Sequence, residues 1–288
     1  MSAITAPQSS TRKLRSGTIS KYIALFALLL LLLIVLFPFF LIVINSFKTE
    51  AEYLANGPFA LPGTIDTTSL MATWQKTGYT TKLFNSLVIS LTTAVLAVAL
   101  SALNAFALGI GRIKGRAFVM LFFLMAIALP VESLAYPLYY LFNQIGLYNT
   151  RLGLILATTA LHTAFGTFLL TSVFATVNKD VLESAVLDGC SKLQLLLRVV
   201  LPLSWPSLSV LFVFFFIWTW NDFFLPLILL ISNSKQTVPI AMALARGERG
   251  MVITTQSAAA FLGVVPAFLF FIIFQRTLTK GIMSGASK

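Results

Sequence analysis

From Tyr22 to Phe47 the chain carries no charged residue, and its segment ALFALLLLLLIVLFPFFLIVI (24–44) is long enough to cross a bilayer. Crossing the hydrocarbon core takes about 20 apolar residues. Five further apolar stretches follow, near 83–108, 118–141, 153–176, 205–231 and 256–276. In lipid each backbone N–H and C=O must be paired within the protein, which leaves the helix as the element such runs can form. The expected fold class is therefore all-α, a polytopic membrane protein with six transmembrane helices. Composition agrees: 58% of residues are hydrophobic and 10% charged, against about a quarter charged in soluble domains. The first stretch exceeds the roughly 7–15 residues of a signal-peptide core, and no small-x-small cleavage site follows it closely. It reads as an uncleaved first helix.

The expected organisation is a Ser/Thr-rich, basic tail over 1–21, a six-span domain over 22–276, and a short tail over 277–288. A net charge of +11 would suggest nucleic acid in a soluble protein. Here the basic residues flank apolar spans, where they set topology, and the expected environment is membrane lipid with no nucleic acid partner. With the N-terminus inside, the inner segments hold thirteen Lys and Arg and the outer loops seven. Both termini and the connection between spans four and five, residues 177–204, are then expected to be cytoplasmic. No period of 20–50 residues repeats, and no inverted pair of broken spans stands out.

The spans differ in character. Span one lacks small polar residues and is expected to face lipid. Thr159, Thr163, Thr167, Thr171 and Ala175 lie four apart on one face of span four. Ser86, Ser90, Ala94, Ala97, Ser101 and Ala105 line one side of span two. Small residues at that spacing let membrane helices approach closely, so packing is the expected role. The turn-rich NGPFALPG in the long loop 48–82 reads as ordered surface structure.

The sequence contains no G-x-x-x-x-G-K-[ST] phosphate loop, HExxH, GxSxG or His/Cys cluster, so neither an enzyme nor a nucleotide or metal site is expected. The one cysteine, Cys190, reads as a small apolar filler. The one histidine, His162, sits in span four, where a hydrogen bond to a neighbouring helix is its ordinary role. Glu132 and Asp222 are the carboxylates within the spans. Glu132 lies roughly 20 Å along span three, just past Pro130, which must kink the helix or free a carbonyl. Asp222 follows Asn221 in WNDF. A charge at that depth costs about 2.5 kcal/mol or more, so each should face a cavity or a partner. For Asn221 and Asp222, structural and path-lining roles stand equally open.

The connection 177–204 is the most informative segment. NKDVLESAVLD places Val181, Leu182, Ala185 and Val186 toward one side of a short helix with Asn178 as N-cap. Gly189 can take a positive φ and end it. Ser191 can start a second helix, KLQLLLRVV, stopped at Pro202. A helix–turn–helix bearing Glu183 and Asp188 is unlike an interfacial membrane helix, which prefers a Lys/Arg-rich polar face. It describes a docking element for a cytoplasmic partner.

At these residues the chain resembles the membrane permease subunits of bacterial ABC importers. Their signature reads Glu-Ala-Ala, three residues, Gly, nine residues, Ile-x-Leu-Pro. Here Glu183-Ser184-Ala185 precede Gly189 by the same interval, and Val199-Val200-Leu201-Pro202 close the pattern; Ser for Ala and Val for Ile are mild departures. LDG before the turn, WNDF, NSFKT after span one and the terminal MSGASK resemble the carbohydrate-uptake branch, specifically its maltose-type second permease. The resemblance implies that 177–204 is a coupling loop, with Glu183, Ser184, Ala185, Asp188 and Gly189 in contact with a separate ATPase subunit. It also implies a bacterial inner-membrane location, and no cofactor on this chain, ATP-Mg being bound by the ATPase dimer. Further implied partners are a second permease in a heterodimer and an extracytoplasmic binding protein that delivers a sugar. Glu132, Asn221 and Asp222 are then candidates for the translocation path. A polyol or glycerol-phosphate-type cargo is the alternative within the class; an ion-coupled transporter using Glu132 and Asp222 is the alternative outside it.

Overall fold

The computed structural model describes residues 16–111, 113–245 and 252–286. The basic residues Arg12, Lys13, Arg15, Arg112, Arg246, Arg249 and Lys288, and most of the tail 1–21, lie outside the described residues. Those described form α-helices and short turns without a strand. Four helices are long and apolar enough to cross a membrane, and two sharply bent pairs raise the number to six.

Helix α1 (Ser16–Ser46) is exposed along most of its length, with Phe26, Leu33 and Ile34 more than 60% exposed. It is apolar on every side, so no stripe directs it onto a single neighbour. It rests against the last long helix, Ile253–Ala286, Phe37 stacks on Phe59, and polar bonds fix its last turn. Asn45 Nδ2 donates to the Pro58 carbonyl at 3.1 Å, and the buried Lys48 ammonium donates to Asn45 Oδ1 and the Gly57 carbonyl. The loop beyond is ordered as expected, through α2 (Glu50–Asn56) and α3 (Thr68–Thr77).

The core is the parallel pair α4 (Tyr79–Gly109) and α7 (Arg151–Phe174), which meet from Thr93 and Thr158 through Ser101 and Thr163 to Asn104 and Thr167. The small residues expected to serve packing do so with one exception: Ser86, Ser90, Ala94, Ala97, Ser101 and Ala105 are buried on α4 and Thr159, Thr163, Thr167 and Thr171 on α7, whereas Ala175 lies just past the end of α7 and is exposed. Hydroxyls bridge the seam, Thr93 with Thr158 at 3.0 Å and Ser101 Oγ to the Thr163 carbonyl at 3.3 Å. Gly166 has no room for a side chain, since a Cβ there would fall on the Ser101 hydroxyl and against Phe215. A close backbone approach of this kind is what small residues permit between membrane helices.

Span three is not one kinked helix. Helix α5 (Arg116–Ala128) stops at Leu129, and a 3-10 turn (Val131–Leu134) leads into α6 (Ala135–Gln144) at 95° to it. Pro130 drives Leu129 into extended geometry (φ −70°, ψ 128°) and is itself extended, so two successive residues leave the helix. Span five is also shorter than 205–231. Helix α11, counted after α8 (Lys179–Leu187), α9 (Lys192–Leu195) and α10 (Leu201–Leu203), runs over Trp205–Asn221 and ends at Asp222. A separate α12 (Phe224–Leu229) follows, then α13 (Val238–Leu244) and α14 (Ile253–Ala286).

At the end of the bundle remote from α8, polar side chains tie the chain to itself. The Lys82 ammonium donates to both oxygens of Asn233, and Asn85 Nδ2 donates to the carbonyls of Ser234 and Gln236, each at 2.9 Å. Ser86 Oγ accepts the Val238 N–H at 2.9 Å. Asn149 accepts the Ser232 N–H and donates to its hydroxyl, while Lys235 Nζ donates to the Asn149 carbonyl at 2.7 Å. These bonds position the segment between α12 and α13 over the ends of α4 and α7.

Candidate functional site

Two constellations carry the residues singled out by sequence, one at the α8 end and one at the breaks of spans three and five. The first is the helical pair α8 and α9–α10. Asn178 caps α8, its side-chain oxygen accepting the Asp180 N–H at 2.9 Å. Gly189 turns the chain at φ +85°, where a side chain would be strained although a Cβ there would touch nothing within 4 Å. Ser191 opens α9 with a full capping box: Gln194 Oε1 accepts the Ser191 N–H at 2.8 Å and Ser191 Oγ accepts the Gln194 N–H at 3.3 Å. The turn is thus held from both sides by side-chain-to-backbone bonds.

Beyond α9 the structure departs from expectation. The second helix does not stop at Pro202; it widens into a π turn (Leu196–Val200), continues through α10 and bends by 81° at Ser204. Pro202 has no N–H for the Arg198 carbonyl and its ring crowds that oxygen, so the turn before it opens instead of breaking. The buried side of α8 also differs. Leu182 and Ala185 are half-buried, whereas Val181 and Val186 are 42% and 56% exposed and Leu187 is 88% exposed. On this face Glu183 and Asp188 are exposed, and neither carboxylate has a hydrogen bond or ion pair among the described residues. Ser184 is exposed as well, its hydroxyl turned back to the Asp180 carbonyl at 2.7 Å. Cys190 is half-buried beside the turn. Next to α8 opens a cavity of about 660 Å³ bounded by Gly109, Phe174, Leu182, Glu183, Val186 and Leu195. The pair therefore presents exposed apolar side chains and two free carboxylates, of which Glu183 borders the concave surface.

The second constellation lies where spans three and five break. Asp222 ends α11 because its Oδ1 accepts the N–H groups of Phe224 (3.0 Å) and Leu225 (3.4 Å), starting α12 in a new direction. A short carboxylate that captures nearby N–H groups offers the backbone an alternative to the continuing helix. Asn221 Nδ2 donates to the Ile217 carbonyl at 2.9 Å. The two breaks enclose a cavity of about 550 Å³, and Glu132, Asn221 and Asp222 all line it. Of the two roles left open by sequence, Asp222 and Asn221 therefore have a structural one and also border open space.

His162 lines this cavity too. Its Nε2 lies 3.0 Å from the Thr219 hydroxyl of α11, and its ring stacks on Phe215 at 5.0 Å, 9° from parallel. The expected bond to a neighbouring helix is present. Sequence reasoning missed Trp218 and Phe165, whose rings also border the space. Helical spacing carried the signal: Trp218, Asn221 and Asp222 fall at i, i+3 and i+4, and Thr158, His162 and Phe165 at i, i+4 and i+7, each set on one face.

Apolar spans around a broken-helix cavity, with an exposed helical pair at one end, define a polytopic membrane protein. The chain belongs to the family described as binding-protein-dependent transport system inner membrane component, whose profile matches residues 104–283. It is 30% identical over 258 residues to an arabinooligosaccharides transport system permease of Halalkalibacterium halodurans, covering 88% of this chain and 92% of that one. It is 29% identical to a sulfoquinovosyl glycerol transport system permease of Agrobacterium fabrum, covering 88% and 89% respectively. A diacetylchitobiose uptake system permease of Streptomyces coelicolor is also 29% identical, over 90% of this chain and 86% of that one. Among solved structures, a bacterial ABC transporter involved in import of the acidic polysaccharide alginate superposes with a TM-score of 0.79 at 22% identity. The match covers 94% of this chain and 99% of that one. The fold is shared with that transporter, and the chain is an inner-membrane transport component.

Proposed function

We propose that this permease moves a sugar or oligosaccharide, handed over by an extracytoplasmic binding protein, through a heterodimer with a second permease, driven by ATP hydrolysis on a separate ATPase dimer docked at α8–α9. The observation that carries the reading is the α8 surface. A turn fixed by Asn178, Gly189 and Ser191 holds two unpaired carboxylates and exposed apolar side chains beside a concave surface. A partner offering basic or N–H donors completes it, since charge-assisted bonds are the strong ones. Glu183 accepts such a bond in this account, Ser184 and Ala185 allow close approach, Asp188 and Gly189 set the turn. The charge asymmetry supports cytoplasmic termini, which puts α8 on the ATP side. The sugar class is supported by the cargoes named for the relatives, and by a cavity pairing Trp218 and Phe165 with Asn221, Glu132 and Asp222.

The test is uptake of labelled arabino-oligosaccharides and related oligosaccharides into vesicles holding the complete importer. ATP-dependent uptake that survives an uncoupler is expected. Uptake that collapses with the ion gradient while ATP is held constant would replace this reading with ion coupling through Glu132 and Asp222.

A further inference from the structure

The cavity between the two chain breaks has a sign. Its charged lining consists of Glu132 and Asp222, and among the described residues neither Lys nor Arg borders it. Glu132 is exposed and makes no hydrogen bond or ion pair among the described residues, so its carboxylate is uncommitted. Asp222 commits Oδ1 to two backbone N–H groups and leaves Oδ2 open. Asn221 gives one amide N–H to the Ile217 carbonyl, which leaves its second N–H and its oxygen for an occupant. Trp218, 40% exposed, adds a flat apolar face. Acceptors and an aromatic face suit a hydroxyl-rich ligand, whose O–H groups donate and whose C–H face stacks.

The same lining is hostile to an anion. A carboxylate or phosphate on the occupant would meet two carboxylates, no cation, and walls of low dielectric, where like charges repel several times more strongly than in water. Resting on the reading that this cavity lies on the cargo path, we infer that Glu132 and Asp222 select against negative charge: the permease passes neutral or positively charged sugars and rejects uronates and sugar phosphates. The structural neighbour whose cargo is an acidic polysaccharide shares the fold; charge preference then resides in lining residues, not in architecture. A glycerol-phosphate-type cargo is excluded on the same ground.

The test uses a thiol reporter in the assembled importer. Ile127, which lines the cavity and is 38% exposed, is replaced by Cys in a Cys190→Ser background. Its labelling rates with a trimethylammonium-ethyl and a sulfonatoethyl methanethiosulfonate, reagents of similar size, are compared after normalisation to a free thiol. The cationic reagent should react about tenfold faster, and Glu132→Gln should reduce that preference to about threefold or less. Equal rates, or a preference that Glu132→Gln leaves unchanged, overturn the inference while the cargo-path reading stands. No labelling by either reagent in the assembled importer means the cavity is sealed from the path, and overturns both.

Discussion

The two ends of this molecule use similar residues to opposite effect. At the end remote from α8, Lys82, Asn85, Ser86 and Asn149 direct their polar atoms onto the segment from Ser232 to Val238, so that end is closed upon itself. At the α8 end, the side-chain hydrogen bonds of the helical pair are local, at the caps Asn178 and Ser191 and from Ser184 to its own helix, and Glu183 and Asp188 remain exposed without partners among the described residues. The difference teaches where stability and function are located. Polar groups bonded across the chain hold the remote end; in the proposed function, the polar groups left open on the turn are addressed to another molecule. The break cavity lies between these limits, since Asp222 both starts α12 and faces open space.

The comparison can be broken by variants that move the wrong property. Glu183→Ala should lower binding-protein-stimulated ATP hydrolysis by about tenfold or more, the loss expected for a charge-assisted bond across a contact. Thermal stability of the isolated permease should not change. Asn85→Ala should do the reverse. Removing its amide strips the Ser234 and Gln236 carbonyls of their donor, at about 1–3 kcal/mol for buried groups, so a lower melting temperature in detergent is expected while ATPase co-purification persists. A stable Asn85→Ala protein that loses its ATPase would erase the distinction between the two ends. Ser191→Ala sharpens it further: loss of the cap costs about 1 kcal/mol, confined to α9, and should appear as a few-fold loss of stimulated hydrolysis with normal melting. The smallest effect concerns placement alone. An impermeant maleimide should label Cys190 only after cells are opened, and labelling in intact cells would invert the topology.

How much of this was legible in the sequence follows from the range of each interaction. The turn at Gly189, the cap at Asn178 and the start at Ser191 are local chemistry, readable within a few residues. The spans and the small-residue seam of α4 and α7 are periodic and equally plain. The breaks were half-legible. Pro130 announced a kink, but its 95° extent needed both Leu129 and Pro130 in extended geometry. Asp222 as a helix stop depended on which N–H groups its carboxylate captured. The Lys82–Asn233 and Asn85–Gln236 contacts join residues 151 apart in sequence and left no local trace. For the same reason sequence named Glu132, Asn221 and Asp222 without bringing them to one cavity. That Val181 and Val186 stand exposed beside the half-buried Leu182 and Ala185 was not legible, because amphipathic spacing gives a face, not the partner that covers it.

The account stands most directly on the turn at Gly189. With open space around it and φ at +85°, Gly189→Val changes the angle between α8 and α9 without a packing clash. The measurement is binding-protein-stimulated ATP hydrolysis by the reconstituted importer, with membrane insertion of the variant checked in parallel. Gly189→Val should insert normally and lose stimulation, whereas Gly189→Asn, which tolerates a left-handed turn, should keep most of it. Full stimulation in Gly189→Val would mean that the turn does not couple the permease to its ATPase.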